Sequence, residues 1–140
     1  MKRLLCLLIL ALAVPALADS GEEIAARRAA LDLAGAFSND GFKIRDGYWC
    51  SKLSPKESPL IQVNLYAGNQ YWFIAGAVPP AKKIAVTIFD ETGRLVKSEP
   101  FADTARAAAG FSPETSGAYY IRVEEPEGDP AAFCLIYSYK

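Results

Sequence analysis

The chain is 140 residues long, with 15 basic residues against 16 acidic, a formal net charge of −1, and no histidine. That length suits one ordinary domain, and the near balance of charge, with no basic cluster, leaves nucleic-acid binding without the cations it draws on. The missing histidine removes the commonest general base and transition-metal ligand, and with them every Ser-His and Cys-His arrangement.

The opening residues read as a secretory signal peptide over residues 1–18. Met1-Lys2-Arg3 supplies the charged start, Leu4 to Val14 the short apolar run, and Ala16-Leu17-Ala18 a small-x-small cleavage site. Cleavage after Ala18 takes away Lys2 and Arg3 but no acid, which moves the net charge from −1 to −3. No later stretch approaches the roughly 20 apolar residues that a membrane span needs. Cys6 leaves with the leader, so the exported chain keeps Cys50 and Cys134. A periplasmic or secreted location is oxidising, and an even pair of cysteines there forms a disulfide. Such a bond closes a loop of about 85 residues, worth roughly 4–5 kcal/mol by chain entropy alone.

Residues 19–140 read as a single domain. Ser20 followed by Glu23 has capping-box spacing, which predicts a helix over about 21–37, with Ile24, Leu31, Ala34 and Phe37 on its inward side. The cluster Ser38-Asn39-Asp40-Gly41 ends it. From there the period changes to two. Phe42 and Ile44 alternate with Lys43 and Arg45, Asp46-Gly47 marks a tight hairpin turn, and Tyr48-Trp49-Cys50 begins the return. Ile61, Val63 and Leu65 form one side of a half-buried strand; Tyr71 to Ala75 is apolar on both sides and so central. Ile84, Val86 and Ile88 predict another strand, paired through Asp90-Glu91-Thr92-Gly93 with Arg94 to Lys97. An alanine-rich strand follows in Ala105–Phe111. Ser116 to Val123 and Ala132 to Tyr139 then read as a closing hairpin stapled by Cys134. Seven to nine short strands with frequent turns make the fold class mainly β, an antiparallel β-sandwich of jelly-roll type with one N-terminal helix.

Two groups of residues carry candidate chemistry. Glu124, Glu125, Glu127 and Asp129 place four carboxylates in one predicted loop, an arrangement that suits calcium, although it lacks the alternating order of an EF-hand. Tyr48, Trp49, Tyr66, Trp72 and Tyr120 are placed by strand alternation opposite clear core positions, where rings would suit a sugar or a protein partner. Ser51-Lys52 and Ser54 with Lys56 lack the S-x-x-K spacing of serine-lysine enzymes, and no pair of carboxylates is marked for glycoside cleavage.

Three segments resemble the bacterial pre-peptidase C-terminal domain family and, more loosely, carbohydrate-binding jelly rolls. They are Asn69 to Phe73 entering a strand, Ile84 to Gly93 as a strand closed by an acidic-glycine turn, and Ser116 to Val123. The resemblance spans about residues 68–139. It implies a non-catalytic domain of the kind appended to secreted enzymes, some of which bind polymers and some of which hold calcium. The expectation is therefore an exported, non-catalytic binding or accessory module. It would need no cofactor unless calcium binds, and would recognise an envelope or extracellular polysaccharide or another exported protein. The other readings are a calcium-stabilised structural domain, an inhibitor of an envelope hydrolase, and a hydrolase working with carboxylates alone.

Overall fold

A computed structural model describes residues 20–140; the predicted signal peptide and its predicted cleavage site lie outside the described residues. One helix, α1 (Gly21–Ser38), precedes nine strands: β1 (Lys43–Ile44), β2 (Trp49–Leu53), β3 (Leu60–Leu65), β4 (Tyr71–Ala77), β5 (Ala81–Phe89), β6 (Glu99–Asp103), β7 (Arg106–Phe111), β8 (Gly117–Gly128) and β9 (Ala131–Tyr139). No helix among the described residues is long and apolar enough to cross a membrane.

The strands form two antiparallel sheets. The larger runs β1-β9-β4-β7-β6, with β2 also paired to β9, and the smaller runs β3-β8-β5. Their inner faces enclose the main core, in which Phe73, Phe133, Leu53, Leu65, Ile88 and Ile121 are fully buried. The period-two reading holds here: Val63 and Leu65 on β3, and Ile84, Val86 and Ile88 on β5, all point inward.

Strands β4 and β9 are apolar on both sides because they lie between two cores. Phe73, Ala75, Phe133 and Leu135 face the opposing sheet, whereas Ile74 and Ile136 face α1. Along the helix the inward stripe is Ala26, Ala30, Leu33 and Ala34, the i, i+4, i+7, i+8 spacing of one helical face. Of the residues predicted to point inward, Ala34 and Phe37 do; Ile24 and Leu31 do not, at 42% and 41% exposed. The reason is steric. A Cβ on Gly76 of β4 would lie 2.5 Å from the Ala30 nitrogen and 2.7 Å from the Ala26 oxygen. The helix backbone rests on the sheet at that point, and only alanines fit between them. Ser20 caps the helix, accepting a hydrogen bond from the Glu23 amide at 3.2 Å.

Two predicted pairings are corrected and a third is shortened. Residues 116–123 and 132–139 do not form a hairpin: β8 belongs to the small sheet and β9 to the large one, and Asp129-Pro130 carries the chain from one sheet to the other. The Asp46-Gly47 turn does not fold β1 onto β2, since both strands pair with β9. Residues 94–97 do return antiparallel onto the end of β5 as predicted, through the Leu95–Phe89 bridge and the bond from the Val96 amide to the Ile88 oxygen at 2.9 Å, but the return is too short to be a strand, and the long partner of β5 is β8.

Candidate functional site

Cys50 and Cys134 are bonded. They face each other in the β2–β9 register with their Cα atoms 4.1 Å apart, on the side of the large sheet that the helix covers. The Cys134 sulfur lies 3.3 Å from the Glu23 carbonyl oxygen. A disulfide sulfur has no proton to give, so this is packing of the bond beneath the first turn of α1.

The four acids of the predicted calcium loop separate. Strand β8 runs through to Gly128, so alternation sends neighbours to opposite faces. Glu124 pairs with Arg122 at 2.7 Å, and Glu127 pairs with Lys83 at 3.4 Å. Asp129 stands at the crossing to β9. Glu125 turns inward, 2% exposed, with neither carboxylate oxygen partnered. Burial, reinforced by the charge of Asp129, raises its pKa above the ordinary glutamate range. Among the described residues no three acid or cysteine side chains converge on a point where a metal ion would sit.

The five predicted aromatics also part company. Trp72 lies under the helix, its ring 4.3 Å from that of Phe37 and nearly parallel to it, and over Gly110, its partner in the β4–β7 register. The Arg27 guanidinium sits 4.4 Å from the ring of Tyr48. Tyr120 lies on the outer face of the small sheet, beside a shallow hollow that also includes Leu60 and Arg122. Only Trp49 and Tyr66 share a site.

That site is a cleft of about 510 Å³ between the β1–β2 edge of the large sheet and β3, the edge strand of the small one. Trp49 stacks on Tyr137 with centroids 6.0 Å apart and planes within 11°. Tyr139 lines the cleft beside them, and Tyr66 stands at its rim, 65% exposed. On the floor the Tyr71 hydroxyl accepts hydrogen bonds from the Tyr66 amide at 3.0 Å and from Asn69 Nδ2 at 3.1 Å. This arrangement fixes the loop between β3 and β4 and leaves the hydroxyl proton of Tyr71 free to be donated. Gln62 and Asn64 project from the exposed side of β3, and Arg45 follows β1. Arg45 is seated twice: its amide donates to the Tyr137 oxygen at 2.9 Å, and its guanidinium lies 5.2 Å from the Tyr137 ring. Burial raises the pKa of the Tyr137 hydroxyl, with the Arg45 charge opposing it, so that phenol is neutral at physiological pH.

A second cleft, of about 470 Å³, lies around Asp90, Phe111 and Tyr119. Two of its polar groups, Asp90 and Tyr119, serve the fold. One Asp90 oxygen accepts from the Thr92 amide, the Thr92 hydroxyl and the Arg94 amide at 2.9, 2.6 and 3.0 Å, and the Thr92 hydroxyl bond above all lowers the Asp90 pKa. The Tyr119 hydroxyl donates to the Thr115 oxygen at 2.6 Å.

Sequence reading passed over Arg45, Gln62, Asn64 and Asn69 as site residues. The polar side of the β3 alternation was visible, but nothing local says that β3 is an edge strand or that β1 lies across from it. No protein-family model matches the sequence, and no curated protein matches it.

Proposed function

We propose that this protein is a non-catalytic glycan-binding module working outside the cytoplasm, with the Trp49–Tyr66 cleft as its binding site. The observation that carries the reading is the make-up of that cleft: aromatic walls set against the side-chain amides of Gln62, Asn64 and Asn69. Sugar rings present apolar C–H faces that lie against aromatic rings, and hydroxyl edges that pair with amides, so each half of the ligand meets its complement. Asn69 and Tyr71 are held by hydrogen bonds before any ligand arrives, which lowers the ordering cost of binding. The Cys50–Cys134 bond fits an oxidising compartment, periplasmic or extracellular in this reading. The resemblance of residues 68–139 to pre-peptidase C-terminal domains supplies a precedent for a polymer-binding sandwich without catalysis.

The test is titration calorimetry of residues 19–140 against a panel of neutral and acidic oligosaccharides, with Tyr66→Ala as the probe of the site. Tyr66 is largely exposed, so the variant should melt with the wild type while losing about tenfold in affinity, the value of one stacked ring. Absence of binding across the panel, or unchanged affinity in Tyr66→Ala, would overturn the assignment.

A further inference from the structure

We infer that the sugar recognised in this cleft carries a carboxylate, as a sparse uronic-acid substituent on an otherwise neutral glycan; this rests on the cleft being a glycan site. Among the described residues Arg45 is the only charged side chain lining it, the rest being aromatic, amide or aliphatic, and no acid stands within salt-bridge distance of it. Its position is nonetheless set from both ends. The Arg45 amide is anchored on the Tyr137 carbonyl, and the guanidinium is held over the Tyr137 ring. The Tyr137 hydroxyl takes only part of the five N–H donors of the guanidinium, and the planar fork that remains matches a carboxylate with two parallel hydrogen bonds.

The density of charge follows from the rest of the cleft. One cation serves one anion, and the cleft lining offers no second cation, so each further carboxylate of a polymer charged at every ring would give up water there without gaining a partner. The amides and rings of the cleft have no such preference and serve the neutral sugars on either side. The ligand class is therefore a neutral backbone with isolated uronate groups, and the carboxylate sets the position of the chain in the cleft.

The deciding experiment uses a matched pair: neutral oligosaccharides bearing one glucuronic acid, and the same molecules after reduction of the carboxyl to a hydroxymethyl group. Binding of the acid form about tenfold tighter than the reduced form is expected, as a charge-assisted contact supplies. The advantage should shrink with added salt. Arg45→Gln should erase the difference between the two forms, and Arg45→Lys should restore part of it. Equal affinity for the two forms, or a preference that survives Arg45→Gln, overturns this inference and leaves the glycan reading standing. Heparin bound more tightly than the singly charged oligosaccharide overturns the sparse-charge part. If neither form binds and no neutral glycan does either, the glycan reading fails and takes this one with it.

Discussion

The two buried interfaces of this protein are packed by opposite means. Between the sheets, space is filled with bulk: Phe73, Phe133, Leu65, Ile88 and Ile121 are fully buried and reach across from facing strands. Between helix and sheet, Leu33, Ile74 and Ile136 pack around a point where α1 rests directly on β4, and there Ala26 and Ala30 lie over Gly76 with no space left to fill. Both reach the close packing of a protein interior, so they should respond to mutation with opposite sensitivities. The sandwich interior is intolerant of removing atoms, the helix interface of adding them.

The largest expected effect tests the first half of that contrast. Ile121→Ala on β8 should cost about 2–5 kcal/mol in a denaturant titration, because the facing side chains can only partly close the cavity. A cost under about 1 kcal/mol would mean that the interior between the sheets collapses easily. Next comes Gly76→Ala, a single added methyl that has to push the backbone of α1 away from β4. The expected loss is about 1–3 kcal/mol. Leu31→Ala, on the same helix but pointing outward, should stay within about 0.5 kcal/mol. Should Leu31→Ala cost more than Gly76→Ala, the helix would be turned differently on the sheet and the contrast would break.

The smallest effect concerns the acid that sits on the bulk-filled side. Glu125 has its folded pKa raised above the ordinary value of 4.5. The folded state therefore holds this proton more tightly than the unfolded chain does. Its contribution to stability is full below pH 4.5 and is lost as pH rises through the folded value. Asp90, shifted the other way, loses its contribution only as pH falls below 3.8. The two tyrosines with raised values, Tyr119 and Tyr137, act only above pH 10. Melting followed between pH 7 and 5 thus isolates Glu125 among the groups with resolved shifts. Glu125→Gln should flatten the rise in stability that this proton uptake produces as pH falls toward 4.5. A pH profile unchanged by the substitution would show that the carboxyl has found a partner.

How much of this was legible in the chain depends on whether the signal is local. Period-two alternation in Ile61-Val63-Leu65 and Ile84-Val86-Ile88 states which side of a strand is buried, and both sets point inward as read. The cysteine pair was legible from its number and setting. The partner of a strand is not a local property. Nothing between Val123 and Ala132 says that the chain changes sheets there, and a hairpin is the default reading of two strands joined by a short polar stretch. The orientation of α1 was misread for a related reason: Ile24 and Leu31 look like the core face by hydrophobicity, while the close approach that selects alanine is dictated by Gly76, forty residues or more downstream in another element. The cleft was half legible. Trp49 and Tyr66 stood out as aromatic, but their convergence with Arg45, Gln62 and Asn64 comes from two sheet edges that meet only in the folded molecule.

The central place of β9 has a consequence for timing. Helix α1 and strands β1 and β2 all dock on β9, and the disulfide between β2 and β9 joins residues 84 positions apart. As the chain is synthesised, α1 can settle on β4 before β9 exists, but β1 and β2 have no partner strand until β9 follows. Loop closure over that distance has to precede its reward, which places this protein with the slower folders of its size. The edge of the large sheet and its disulfide are therefore completed by the last strand of the chain.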